Sequence, residues 1–106
     1  MLVSTTNDLS GYTIGAHIGV VRGITVRSRS ALGNLGGAIQ SFFGGNLSIY
    51  TELAEHARQE AYDLMCEHAA HVGADAVIAF RYDANEIMEG ITEVLDYGTA
   101  VKATKA

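Results

Sequence analysis

The chain has 106 residues, of which 48% are hydrophobic and 18% charged, as expected for one globular domain over residues 1–106 with a thin core. A formal net charge of −5 argues against nucleic-acid binding, which needs a basic surface. No apolar run is long enough for a membrane span, and a single cysteine is typical of the reducing cytoplasm.

The first third of the chain predicts two strands. Residues 1–6, "MLVSTT", favour a short strand, and the turn formers that follow separate it from a longer one in "YTIGAHIGVVRGITV", residues 12–26. Apolar residues alternate there, with Ile14 and Val20 on one face and Val21 on the other. This period of two is typical of a half-buried strand.

The next segment predicts a weak helix. Leu32, Leu35, Ile39 and Phe42 follow a helical spacing, and Gly44 and Gly45 come where such a helix would end. Glycines inside the segment weaken it. We interpret it as a loosely helical connection, and residues 24–43 as a possible contact for a protein partner.

A long helix is predicted over residues 49–72, "IYTELAEHARQEAYDLMCEHAAHV". Ser48 can cap its first turn, and Gly73 stands where a helix commonly ends. At about 100° per residue, one apolar stripe results, formed by Tyr50, Leu53, Ala54, Ala57, Ala61, Leu64, Met65 and Val72. Its alanines predict close packing against a sheet.

Two strands complete the predicted fold. "ADAVIAFRYDA", residues 74–84, places Ala76, Ile78, Phe80 and Tyr82 on one face. Residues 85–90 are read as a turn or an irregular excursion. The last strand, from residue 91, is expected to point Leu95, Tyr97, Thr99, Val101 and Ala103 inward. The order predicts an α+β domain with one mainly antiparallel sheet and one long helix.

Several short motifs, taken in order, resemble the YbjQ-like family of small bacterial proteins, which are often labelled heavy-metal-binding. They are "GYTI" at 11–14, "GVVRG" at 19–23, "LAEHARQEA" at 53–61, "GADAVIAFRYD" at 73–83 and "YGTAVK" at 97–102. The resemblance implies a strand–helix–two-strand domain of the dodecin-like type. It also implies a homo-oligomeric ring, a pentamer, in which the sheets of neighbouring subunits form a barrel. It brings no catalytic residues, and we expect no enzyme.

The candidate metal ligands lie along one ridge of the long helix. His56 and Glu60, and again Glu67 and His71, are one turn apart. Imidazole and carboxylate together suit a divalent transition metal such as zinc, nickel or copper. One helix offers only two good ligands to each site, so a third must come from another segment or subunit. The alternative interpretation is a solvated ridge of helix-stabilising pairs.

The stretch "CEHAAH" does not form a metal motif, because Cys66 and His68 project about 160° apart on a helix. We interpret His68 as a buried or half-buried residue with one hydrogen-bonded nitrogen; the alternative is a ligand or a proton-responsive residue at a subunit interface. Cys66 is interpreted as a partly buried structural thiol. Arg22, Arg27 and Arg29 form a basic cluster that is expected to pair with the acids between residues 52 and 96.

Three classes of function remain open from the sequence. The first is a ring that binds a divalent metal through ligands gathered on assembly. The second is a structural or protein-interaction module without metal. The third is a small-molecule binder at a subunit interface, lined by His17, Tyr50 or His68.

Overall fold

The computed structural model describes residues 1–28 and 48–106, with side chains for residues 1–27 and 51–106. The predicted helix over residues 32–43 lies outside this part. Four strands and one helix follow one another in the described ranges: β1 (Leu2–Val3), β2 (Tyr12–Ser28), α1 (Ser48–His71), β3 (Ala76–Met88) and β4 (Ile91–Lys105). In residues 1–28 and 48–106, no helix is both long and apolar enough to cross a membrane.

The strands form one sheet in the order β1-β3-β4-β2. β4 pairs antiparallel with β2 on one side and β3 on the other, and only the short β1–β3 pairing is parallel. The predicted α+β domain with a mainly antiparallel sheet and one long helix is therefore confirmed.

The prediction of an irregular segment at residues 85–90 is wrong, because β3 continues to Met88. Its pairing with β4 holds it in the sheet as far as Met88 opposite Ile91. A turn of two residues, Glu89 and Gly90, then reverses the chain, with Gly90 at a φ of 78° that favours glycine.

The helix packs directly on β2 through small residues. Ala57, Ala61, Met65 and Ala69, one turn apart along α1, are all buried. Gly23 of β2 lies under this row, and a Cβ added there would be only 1.9 Å from the carbonyl oxygen of Ala61. Helix and strand backbones thus touch, so any side chain at position 23 would push them apart.

Because of this contact, the buried face of α1 differs from the apolar stripe predicted from the sequence. Leu64 and Val72, expected in the core, are 40% and 38% exposed, while Ala69 is fully buried. The reason is that Gly23 has no side chain, so the helix backbone at Ala61 and Met65 packs directly on the sheet. Leu64 then falls on the flank of the helix.

A bulge in β3 makes the predicted common face of Ala76, Ile78, Phe80 and Tyr82 wrong. Ala79 has a φ of 53°, and the register with β4 shifts between Ile78 and Arg81. Ala76 and Ile78 pack on one side with Val101, Leu9 and Ile14, whereas Phe80 joins the core under α1. The left-handed conformation of Ala79 therefore reverses which side of β3 is turned toward the helix from Phe80 onward.

The predicted inward face of β4 is also wrong over most of its length. The residues that pair with the helix-facing side of β2 are Val94, Asp96 and Gly98, opposite Thr25, Gly23 and Val21. These three are buried, whereas Tyr97 is 36% exposed and Leu95 and Thr99 are partly exposed. Of the residues predicted to point inward, Val101 is fully buried, beside Leu9 and Ile14. Because Asp96 and Gly98 lie on the core side, the apolar alternation of β4 does not show which side is buried.

Candidate functional site

The four predicted metal ligands lie on the outer surface of α1. His56, Glu67 and His71 are exposed, and Glu60 is half-buried because its carboxylate binds the guanidinium of Arg27. In residues 1–28 and 48–106 of a single chain, no three histidine, cysteine, aspartate or glutamate side chains come together to hold a metal ion. A metal site on this ridge therefore stays a prediction that requires a donor from outside the described chain.

The ion pair between Arg27 and Glu60 confirms the expected pairing with the acids between residues 52 and 96 for this one member of the basic cluster. Arg22 is exposed on β2, and Arg29 lies outside the described residues. Since Glu60 is engaged by Arg27, the pair of Glu67 and His71 is the more available half-site on the ridge.

His68 has the structural role expected of it. It is half-buried, and its Nδ1 accepts a hydrogen bond of 3.2 Å from the backbone N–H of Arg22. In the described part of the chain, no further strand pairs with β2 on the side away from β4. The imidazole thus covers part of an otherwise free strand edge, which is one way in which proteins protect such edges.

Cys66 also matches the prediction of a partly buried structural thiol. It packs against the core beside Tyr62. Burial raises the pKa of the Cys66 thiol, and a hydrogen bond from Tyr62 opposes that shift only in part. A thiol with a raised pKa is a poor nucleophile at neutral pH.

The most unusual polar group, Asp96, was missed by the sequence reasoning. Its side chain is fully buried on the helix-facing side of β4, and neither carboxylate oxygen has a hydrogen-bond partner among the described residues. Burial raises the pKa of Asp96 from 3.8 to about 6, against a smaller lowering by the positive charge of Arg58. Strict alternation along β4 predicts that Asp96 lies on the exposed face, so no sequence signal identifies it.

Aromatic rings lie beside Asp96 on the same side of the sheet. Tyr82, which pairs with Asp96 across the strands, meets Phe80 edge to face with ring centroids 4.6 Å apart. Phe80 meets Tyr62 in the same way at 5.7 Å. Burial and the Asp96 carboxylate together raise the pKa of the Tyr82 hydroxyl.

A cavity of about 260 Å³ opens between the first half of α1 and the ends of β2, β3 and β4 nearest the hairpin turn. It is lined by Arg27, Leu53, Ala54, Ala57, Arg58, Ala84, Thr92 and Val94. It does not coincide with the interface pocket predicted from His17, Tyr50 or His68, and the side chain of Tyr50 lies outside the described ones. The cavity arises from helix–sheet packing, which local sequence patterns do not reveal.

The sheet face opposite α1 carries an apolar patch. Val20, Ile24 and Val26 of β2 are 71%, 40% and 49% exposed. Leu95 and Tyr97, which pair with Ile24 and Arg22, extend the patch onto β4. We call Val20, Ile24, Val26, Leu95 and Tyr97 the open-face patch. Arg22 is exposed between Val20 and Ile24 on the same face. Exposed apolar side chains grouped on one face are typical of an interaction site.

Comparison with known proteins identifies the family. A family model described as "Putative heavy-metal-binding", YbjQ, matches residues 1–104. A UPF0145 protein of Chromobacterium violaceum is 62% identical over 101 residues, covering 95% of this chain and 86% of the relative. A UPF0145 protein of Paraburkholderia phymatum is 59% identical and covers 98% and 94%.

One solved structure supports the fold. A protein of unknown function of the DUF74 family from Pediococcus pentosaceus matches with a TM-score of 0.56 and 18% identity. The match covers 98% of each chain. The family model matches residues 1–104, and the two relatives are similar over nearly the whole chain. Both findings agree with the family indicated by the sequence motifs. The chain therefore belongs to the YbjQ family.

Proposed function

We propose that this protein is a ring-forming homo-oligomer, a pentamer as the family resemblance implies, that binds a divalent transition metal with donors from more than one subunit. It acts through binding and assembly rather than catalysis, in the cytoplasm. The open-face patch is the observation that carries the proposal, because it is an apolar surface for which the described chain provides no cover.

The arrangement of the sheet supports assembly in a ring. β2, 17 residues long, lies at one edge, while β3 extends well beyond the two residues of β1 that pair with it at the other. The two edges differ, so contact between one edge region and the other would be head-to-tail. Head-to-tail contacts generate closed rings when the rotation between subunits permits closure.

The metal part of the proposal rests on the surface of α1. Glu67 and His71 are exposed, one helical turn apart, and provide a carboxylate and an imidazole. Zinc and related ions usually take three or four protein ligands. Packing subunits around a ring would bring a further donor to this pair, in agreement with the description of the family.

Assembly is tested with Val20→Lys and Ile24→Lys, which place a charge in the open-face patch. Leu64→Lys, on the flank of α1 at similar exposure to Ile24, serves as the matched control. Light scattering after size-exclusion chromatography should report a smaller species for the two patch variants and the parental mass for the control. A parental mass for all three would contradict a role of the patch in assembly.

Metal binding is tested by calorimetry with Zn²⁺, Ni²⁺ and Cu²⁺ on protein treated with a chelator and dialysed. We expect saturable binding that is lost or weakened at least tenfold in Glu67→Gln and His71→Ala. His17→Ala, which removes an exposed imidazole from β2, should bind as the parent does. Absence of saturable binding by the intact oligomer would leave assembly as the function and refute the metal site.

A further inference from the structure

The cavity between α1 and the sheet has a chemically divided lining. Side chains from two layers of the fold, the first turns of α1 and the outer ends of the strands, form its walls. Most of the wall is apolar, provided by Leu53, Ala54, Ala57, Ala84 and Val94. The alanines leave open the space that larger side chains would fill. Small-molecule sites in proteins are typically concave and mostly apolar, with a few polar groups that fix orientation.

Two guanidinium groups and one hydroxyl supply the polar part of the lining. Arg27 is held in place, since it binds the carboxylate of Glu60 and donates a hydrogen bond of 3.3 Å to the carbonyl of Val26. Its charge is therefore largely balanced. Thr92 adds a hydroxyl, which can donate to or accept from a bound group.

Arg58 is the available cation. Its only ion pair in the described residues is with Glu55, 3.8 Å away, and both side chains are at least half exposed. Exposed pairs of this kind contribute little free energy, about 0–1 kcal/mol. A ligand carboxylate can replace Glu55 with two parallel hydrogen bonds, which the guanidinium geometry favours.

Two acidic residues near the cavity, Glu86 and Asp96, do not remove its preference for an anion. Glu86 of β3 pairs across the sheet with Thr92, but its carboxylate accepts a hydrogen bond of 2.9 Å from the N–H of Gly90. Asp96, two residues further along β4 than Val94, interacts electrostatically with Arg58 but does not line the cavity. Neither carboxylate is a wall of the cavity, whereas both guanidiniums are.

We propose that this cavity binds a small amphipathic carboxylate, such as a short-chain organic acid, with its apolar part against the alanines and Val94 and its carboxylate on Arg58. The volume of about 260 Å³ lies below the usual range of about 300–1,000 Å³ for drug-sized ligands. A short aliphatic acid is therefore the appropriate size class. The site lies within one chain and does not depend on the ring or on a metal.

Binding is tested by titrating the intact protein with hexanoate, followed by calorimetry and by chemical shifts of labelled amides. Hexylamine, a cation of the same length, is the matched ligand control. We expect saturable binding of one hexanoate per chain, with the largest shifts at Ala54, Ala57 and Ala84, and no saturation with hexylamine.

Two variants test the geometry. Arg58→Gln should weaken hexanoate about tenfold, the loss expected for a charge-assisted hydrogen bond, whereas Arg22→Gln on the opposite face should have no effect. Ala54→Leu should fill the cavity and abolish binding, while Ala70→Leu, an exposed site at the far end of α1, should not. Circular dichroism melting checks that each variant is folded.

Three results would each overturn the proposal. The first is no saturable binding of hexanoate to the folded parent. The second is equal binding of hexylamine and hexanoate. The third is undiminished binding of hexanoate to folded Ala54→Leu. None of these results bears on assembly or metal binding, so failure here is distinguishable from failure of the proposed function.

Discussion

Replacing the buried Asp96 carboxylate with an amide should change how stability depends on pH. The folded-state pKa of about 6 exceeds the ordinary value of 3.8, so the folded protein holds this proton more tightly than the unfolded chain does. The carboxyl group is therefore tolerated best below about pH 4. Its contribution to stability is lost as pH rises through 6, because the ionised group is then buried without a partner.

The size of this effect follows from the shift. A difference of about two pKa units, at 1.36 kcal/mol each, gives a total loss of about 3 kcal/mol in the free energy of unfolding. About 2.5 kcal/mol of this loss falls between pH 4 and pH 7.5, because at pH 4 the unfolded carboxyl is already partly ionised. Asp96→Asn removes this dependence. Relative to the parent, the variant should thus gain about 2.5 kcal/mol between pH 4 and pH 7.5. The constant cost of burying an amide shifts the whole profile of the variant but not this difference.

The assay is urea unfolding at pH 4, 5, 6 and 7.5, at one protein concentration, monitored by far-ultraviolet circular dichroism. Asp63→Asn, an exposed carboxylate on α1 whose oxygen accepts a hydrogen bond from Gln59, is the matched control and should run parallel to the parent. If the Asp96→Asn and parental profiles also run parallel, the unpaired buried carboxylate inferred from the structure is wrong.

Three further predictions concern packing around the helix. Gly23→Ala should destabilise the fold by about 3 kcal/mol or more in thermal or urea unfolding, because its methyl group meets the carbonyl of Ala61. Gly15→Ala, whose added Cβ would lie 3.4 Å from its nearest neighbour, should cost far less. Equal costs for the two variants would contradict the close contact at Gly23. His68→Ala should lower the free energy of unfolding by about 0.5–1.5 kcal/mol, because it removes the hydrogen bond to the Arg22 amide. An unchanged midpoint would argue against that bond. Cys66 should react slowly with a thiol reagent at pH 7.5 and rapidly in urea, since burial raises its pKa; equally fast labelling of the folded protein would contradict its burial.

The sequence predicted the elements well because their signals are local. Alternation over residues 12–26 gave β2, and the apolar spacing between Ser48 and Gly73 gave α1 almost to the residue. The two halves of the final hairpin were also placed, although β3 extends further than its turn-forming residues suggested, since pairing with β4 keeps them in the sheet.

Which side of each strand is buried could not be predicted in the same way. The left-handed conformation of Ala79 shifts the register of β3, and alanine gives no sign of it. On β4, both faces carry apolar residues, and the side that meets the helix includes Asp96 and Gly98. Only the contact of α1 with Gly23, which joins segments distant in the chain, decides between them.

The candidate sites also differ in whether local geometry or tertiary packing determines them. His68 and Cys66 could be interpreted from helical geometry, and their structural roles are confirmed. The ridge that ends at Glu67 and His71 remains a prediction, since its completion depends on contacts beyond one chain. Asp96 and the cavity at Arg58 required the packed structure, because burial and enclosure come from several elements at once.

The most direct test of the account is the mass of the assembled protein in solution. Native mass spectrometry, with light scattering at micromolar concentration, should report a closed oligomer of uniform subunit number, five for the pentamer. The side chains of the open-face patch on β2 and β4 should be protected from hydroxyl-radical labelling in that species. A monomer at micromolar concentration, with this patch unprotected, would contradict the central claim that assembly creates the function.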